Sequence, residues 1–424
     1  MIKWLTGAAW AAATLMSIAV IPQAQAESIL FWSGQAAPLP EAQAMRDGAL
    51  KGFPGVDFEA RESGPFITRL TAELKAGRGS IGLVGALHGD LAAYPDAWTD
   101  LSDLALPGIG TNPAFQELSK LGTAHQLYVP WMQATYLMAA DRRALQYLPV
   151  GADIDALTYK QLVTWAKTMA DKTGSPKFGF PAGPNGLKAR FFQGFLLPAY
   201  TKSAVTRFRS TDAEAGWQMF RELWKYTNPA STNYDFMQEP LLNGDVWVAF
   251  DHIARLANAF NQRPNDFIAF PAPAGPKGRA FMPVIAGMAV PKNSPDPAAA
   301  RRLIAYMLQP ATQVATLVAT NFFPVTDAAL PTDLPASVKA IGPAINRMTS
   351  APDALFALLP TGLGPLGGRF SQVYVDTFER IILNDQDIHQ VLDQQAPVLR
   401  DIMVRAKASC WAPDAPSTGP CPVD

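Results

Sequence analysis

Four histidines, His88, His125, His252 and His389, have the widest chemical repertoire in this chain, because a neutral imidazole serves both as metal ligand and as general base near pH 7. Their wide, irregular spacing forms no ligand set, so no metal is expected, and nothing suggests another cofactor. The chain contains no Gly-x-Ser-x-Gly, no His-Glu-x-x-His and no Gly-x-x-x-x-Gly-Lys, the texts that announce an activated nucleophile, a zinc site or a phosphate cradle. The glycines between Gly77 and Gly82 lack the strand-then-helix setting that a phosphate loop requires. Hydrolysis of a glycoside needs two carboxylates at a set separation. With 36 Asp and Glu such a pair can always be nominated, and a secreted hydrolase is kept only as a remote alternative. No catalytic residue is nominated.

The elements that would position a binding site are more informative. Residues 28–32 read as an apolar strand that stops at Ser33-Gly34-Gln35, 41–50 as a helix, and 56–59 as a second strand after the Phe53-Pro54-Gly55 turn. A helix over 66–76 carries Ile67, Leu70 and Leu74 on one face, and 81–87 is a third apolar run. Strands alternating with helices indicate a parallel sheet covered by helices, and ligands of such sheets sit beyond the carboxyl ends of the strands. That rule selects Trp32 and Gln35 after the first strand, and His88 and Asp90 after the third. Asp251 and His252 follow another buried strand text, residues 246–250, in the same way.

The N-terminus carries Lys3 as its one charge before Glu27, an apolar run over 7–21, Pro22, and the small-x-small text Ala24-Gln25-Ala26. This is a cleavable export signal, with cleavage expected after Ala26; the rival reading, an uncleaved anchor, is disfavoured by Pro22, Gln23 and Gln25 inside the span. Loss of Lys3 takes the net charge from −1 to −2, so neither a basic nor an acidic partner is implied, and the absence of a long basic run excludes nucleic acid. Roughly 400 mature residues exceed what one core organises, so two domains are expected. The two cysteines, Cys410 and Cys421, lie in a Pro-rich tail. In an oxidising compartment they should pair and contribute on the order of 3 kcal/mol by the chain-entropy model.

One order of motifs ties these observations together. A buried strand text over 241–252 is followed by Phe270-Pro271-Ala272-Pro273-Ala274-Gly275-Pro276, then Gly287-Met288-Ala289-Val290-Pro291, then an amphipathic helix from Pro297. Earlier, Tyr128-Val129-Pro130-Trp131 leads through residues 132–139 to Ala140-Asp141-Arg142. This succession resembles the extracellular solute-binding proteins of ABC importers, in the sugar-binding family that includes maltose-binding protein. The helices read over 158–172, 212–226, 376–383 and 391–406 fit the same pattern. The chain departs from it where Asp251-His252-Ile253 stands in place of an aromatic, and at Ile285-Ala286-Gly287, where relatives often have paired glycines.

The resemblance implies an α/β, two-lobed periplasmic-binding-protein fold, each lobe a mostly parallel sheet flanked by helices. Lobe 1 would comprise 27–138 plus 288–325 and lobe 2 would comprise 139–287 plus 326–424. Hinge strands are expected near 136–139, 285–289 and 323–325. It further implies a monomeric periplasmic receptor that delivers a sugar or polyol to the permease subunits of an ABC importer, with no bond of the solute broken. An anionic polyol, such as a glycerol phosphate or sulfonated sugar, is the alternative. A sugar offers apolar C–H faces and a ring of hydroxyls, so its site needs aromatic plates and two-way hydrogen-bonding side chains. Trp32, Phe66, Trp131, Phe191 and Phe322 are the candidate plates. Gln35, His88, Asp90, Arg190, Asp251, His252 and Arg369 are the candidate polar contacts.

Overall fold

A computed structural model describes residues 28–104, 113–326 and 328–424 together with Met1; the segment expected to be an export signal lies, apart from Met1, outside the described residues. Two sheets organise the chain. The first has the order β11-β4-β10-β3-β1-β2 and the second β6-β7-β5-β8. In the first, β1 (Ile29–Ser33), β2 (Val56–Ala60) and β3 (Ile81–Leu87) pair in parallel. Beyond β3 lie β10 (Val284–Ala289), antiparallel to it, then β4 (Val129–Ala134), antiparallel to β10 and so running with β1 to β3, and the short β11 (Phe323–Pro324), antiparallel to β4. The second sheet holds β5 (Tyr136–Asp141), β6 (Phe178–Gly179), β7 (Val248–His252) and β8 (Phe267–Phe270). Only its β6–β7 pair is parallel. The sheets are thus mixed: a parallel βα core explains β1 to β3, and β4 leaves the lobe in that same direction, whereas β10 arrives from the other lobe and must run the opposite way. A third pairing, β9 (Arg279–Phe281) with β12 (Ala354–Phe356), flanks the second lobe.

Two of the crossings between the lobes are far apart in sequence and adjacent in space. β4 belongs to the first sheet and β5 to the second, so the turn is made at Thr135 alone; the return is made over 282–283, between β9 and β10. Thr135 ties the two crossings together, its hydroxyl donating to the Met282 carbonyl at 2.9 Å while its own carbonyl accepts from the Ile253 N–H at 3.1 Å. β10 lies wholly in the first sheet, where Gly287 passes under Tyr128; a Cβ there would overlap the Tyr128 ring. That close approach is the reason for glycine in a fully buried strand.

Local chemistry sets the helices. The helix α1 (Ser63–Lys75) buries Phe66 and Leu70 against the first sheet. The helix α2 (Tyr159–Thr173) begins with a reciprocal capping box between Thr158 and Gln161 and ends at Gly174 with φ of 76°, a left-handed cap. It buries Leu162, Trp165, Ala166 and Met169, the stripe its spacing demands. Two more helices, α3 (Gly367–Phe378) and α4 (Ile388–Ala406), pack on each other in the second lobe. The tail after α4 is held three ways. Cys410 is bonded to Cys421; Trp411 meets the Phe370 ring edge-on at 5.5 Å; and buried Asp414 accepts from Ser203 Oγ, Ala204 N, Val205 N, Thr206 N and Thr206 Oγ1.

Candidate functional site

Between the lobes lies a cavity of about 680 Å³. The first lobe contributes Ile67 and Thr71 from α1, Leu87 at the end of β3, and Gly89, Asp90, Ala93 and Tyr94 from the segment that follows it. The second lobe contributes Arg190, the glycine- and proline-rich loop from Leu359 to Pro365, and Gly367, Gly368 and Ser371 at the start of α3. The position beyond the carboxyl end of β3 is where an α/β sheet leaves room for a ligand, because the following helix turns away and opens a crevice.

Asp90 and Arg190 are the two charged residues among the described lining, one from each lobe. Asp90 is the third residue of the short helix His88–Ala92. Burial pushes its carboxyl up to about 6, against the opposing pull of the Arg190 guanidinium and of a hydrogen bond from the Leu87 backbone. Arg190 is half-buried on the helical segment 188–201, and its charge also reaches the buried Tyr136 hydroxyl at the hinge. Its neighbour Lys188 is fully engaged, with Nζ donating to the carbonyls of Ala182 at 2.9 Å and Gly183 at 2.5 Å; Arg190 has no hydrogen-bonded or ion-paired protein partner among the described residues. One turn further along, Gln193 is buried with neither amide atom paired. It opens into a π-helical turn, Phe192–Leu196, an irregularity frequent at functional sites.

The remaining nominated residues are distributed differently. Trp32, Phe66, Trp131 and Phe191 are 3%, 1%, 0% and 2% exposed and belong to the lobe cores, not to the cavity wall. Trp32 stacks on Phe66 with centroids 6.2 Å apart, and the Arg69 guanidinium lies over the Trp32 ring at 4.5 Å. Phe191 is the hub of an aromatic cluster with Phe180, Phe195, Phe220 and Phe250. A ring at a strand end can face the sheet's covering helix as readily as the cleft, and that is what Trp32 does. Gln35 folds onto its own loop, its amide donating to the Gly34 carbonyl at 2.8 Å. His88 is buried against the Tyr128 hydroxyl at 2.9 Å, and desolvation lowers its imidazole to about 4. Arg369 is exposed on α3, next to the lining glycines.

Asp251 and His252 are structural residues of the hinge region. Asp251 is fully buried; its carboxylate accepts from Met237 N at 2.6 Å and His252 N at 2.7 Å, and burial raises it to about 7. His252 caps the helix Ile253–Gln262 by accepting the Ala254 N–H at 3.3 Å, and burial, aided by Arg255, lowers it to about 3. Its ring lies 5.1 Å from Tyr136 and 5.8 Å from Phe322. Phe322 is half-buried and packs against the cores of both lobes, so the His252–Phe322 contact spans the hinge.

Sequence reasoning overlooked Thr71, Tyr94, Ser371 and the whole 359–368 loop. A signal was present: Pro360-Thr361-Gly362-Leu363-Gly364-Pro365-Leu366-Gly367-Gly368 is the densest Gly/Pro text in the chain, and such text marks a loop where backbone must come close to something.

The description "bacterial extracellular solute-binding protein" matches residues 36–314, roughly two thirds of the chain. The chain belongs to that family. Comparison with curated protein sequences found no match. Among solved structures, the fold is similar to maltose-bound MalE3 of T. maritima, at 16% identity and a TM-score of 0.69 over 89% of this chain and 99% of that one. The sugar-binding protein MalE of Xanthomonas citri gives 15% identity and 0.70, over 88% and 97%. UgpB of Mycobacterium tuberculosis in complex with glycerophosphocholine gives 18% and 0.69, over 89% and 99%. At these identities the likeness is one of fold. This solute-binding protein is therefore the receptor component of an ABC import system.

Proposed function

We propose that the cavity between the lobes captures a sugar or polyol, and that the chain works as an exported periplasmic receptor, cleaved after Ala26, which hands its solute to the permease subunits. The observation that carries this reading is the composition of the wall, in which Asp90 and Tyr94 come from one lobe and Arg190 and Ser371 from the other. A solute that touches both walls binds the closed arrangement better than the open one and shifts that equilibrium. The lobes follow the sheets, with the hinge at Thr135, at 282–283 and beside β11. Closure, and no bond cleavage, is the working step.

The second reading, an anionic polyol, is favoured by Arg190. A guanidinium in a partly buried cavity without a protein carboxylate beside it is a charge-assisted donor for a phosphate or sulfonate. The MalE proteins and UgpB in its glycerophosphocholine complex share this fold, and both readings fit it. A thermal-shift panel of the mature protein against neutral sugars, polyols, phosphorylated polyols and sulfonated sugars separates them. A ligand at a hundred times its Kd adds about 2.7 kcal/mol to stability. A shift with a neutral class supports the first reading and a shift confined to anions the second. No shift with any class would refute both.

A further inference from the structure

The cavity wall carries opposite charges on opposite lobes, and its chemistry differs from that of a carbohydrate platform. A stacked sugar needs flat aromatic faces, yet Tyr94 is the sole aromatic ring among the described lining residues, and its hydroxyl is already bonded to Thr71 at 2.6 Å. Four of the five candidate plates are sealed inside the cores. Apart from Arg190, the opposite wall carries no charge and no ring of an aromatic residue: glycines at 362, 364, 367 and 368, the aliphatic Leu359 and Leu363, two prolines and Ser371. Into this space project one carboxylate and one guanidinium, too far apart to form an ion pair but close enough for Arg190 to pull on the Asp90 carboxyl.

From this arrangement, and resting on the second, anionic reading of the solute in that cavity, the geometry points to a dipolar solute: a small polyol-like molecule with an anionic group held by Arg190 and a primary or secondary ammonium held by Asp90. Each charge of such a solute completes the partner that one lobe lacks. An oxyanion of the ligand accepts from the planar guanidinium, and an ammonium gives Asp90 strong donors that glycine backbone cannot supply. A quaternary ammonium fits less well, because it has no N–H to donate and is held instead by several aromatic faces. A neutral sugar would leave Arg190 partly desolvated without a counter-charge, which opposes binding. A solute with both charges also bridges the lobes, so it couples binding to closure more strongly than either half alone.

Isothermal titration of the full mature chain with four probes tests this: maltose, glycerol, glycerol 3-phosphate and glycerophosphoethanolamine. The expected order is glycerophosphoethanolamine tightest, glycerol 3-phosphate at least tenfold weaker, and glycerol and maltose without measurable binding. R190Q should weaken both phosphorylated probes by about 10–100-fold, the range for removing a charge-assisted hydrogen bond, with R190K retaining part of the affinity. D90N should weaken only glycerophosphoethanolamine, whose phosphodiester stays ionised, and wild-type affinity for that probe should fall as pH drops below about 6. Binding of maltose or glycerol with no response to either phosphorylated probe would overturn the dipolar assignment while leaving a solute receptor in place. Equal affinity for the two phosphorylated probes, unmoved by D90N, would overturn the role of Asp90. Silence with all four, in protein whose thermal unfolding is cooperative, would refute the assignment together with the reading beneath it.

Discussion

Replacement of Gly368 by phenylalanine tests whether the inter-lobe cavity is the solute site. Gly368 is the second residue of α3, it lines the cavity, and a Cβ built on it meets no atom within 4 Å. Its φ lies outside the left-handed region, so a side chain is compatible with its backbone. The fold should accept the change: losing a helical glycine gains up to about 0.5–1 kcal/mol through reduced freedom of the unfolded chain, partly offset by exposing an aromatic ring. Binding should not survive it. The ring would overlap the bound solute, at about 1–3 kcal/mol for overpacking, and displace one or two hydrogen bonds to the Ser371 wall at about 1 kcal/mol each. The sum, about 2–5 kcal/mol, corresponds to a Kd weakened by roughly 30-fold to several thousand-fold. Calorimetric titration with whichever solute the thermal-shift panel selects, alongside the unfolding midpoint of the unliganded variant, reads both terms. Wild-type affinity in G368F would refute the assignment of the cavity. A midpoint lowered by many degrees would refute the claim that the space above Gly368 is open.

Other consequences concern the supports of the site. D414A strands the buried N–H groups of Ala204 and Val205, and at about 1–3 kcal/mol for each unmet group it should destabilise the fold by about 2–6 kcal/mol in urea titration. G287A forces a methyl into Tyr128 within a fully buried strand, and should cost about 1–3 kcal/mol by overpacking. Asp251 and His252 oppose each other in pH dependence. The folded Asp251 carboxyl, raised to about 7 from 3.8, contributes stability that is lost as pH rises through that window, whereas the folded His252 imidazole, lowered to about 3 from 6.5, contributes stability that is lost as pH falls through its own. The two slopes nearly cancel between about pH 4 and 6.5, as do those of buried His88, lowered to about 4, and Asp90, raised to about 6, so these four groups together should leave wild-type stability nearly flat there. H252Q removes one of them and should leave stability falling with rising pH by up to about 1.4 kcal/mol per unit; a flat profile in H252Q would contradict the burial of Asp251.

Much of the frame was legible because it rests on local pattern. The run 81–87 matches β3 residue for residue, and α2 and the helix Pro297–Met307 match their periodic text to within a residue or two. Order of motifs carried the two-lobed architecture, since strand order after a crossover is a property of topology rather than of any one segment. Sheet direction was less legible: the returning strands β10 and β11 have the same apolar text whether they run parallel or antiparallel. At the site, Asp90 and Arg190 were nominated and do line the cavity. The aromatics were misjudged because a strand end has two sides, and apolar neighbours such as Phe66 and Phe31 draw a tryptophan inward. Asp251 and His252 look like exposed polar residues in the text, yet they are spent on backbone N–H groups at Met237, His252 and Ala254. Such long-range partners leave no trace in spacing.

The most direct test of a receptor that closes on its solute is small-angle X-ray scattering of the mature protein, without ligand and at saturation with the solute that calorimetry identifies. A compact chain of this length has a radius of gyration of roughly 21 Å, and closure about the hinge at Thr135 and 282–283 should reduce the measured value reproducibly in wild type but not in G368F. A solute that binds tightly by calorimetry while leaving the scattering curve unchanged would contradict the account, because binding would then be confined to one lobe.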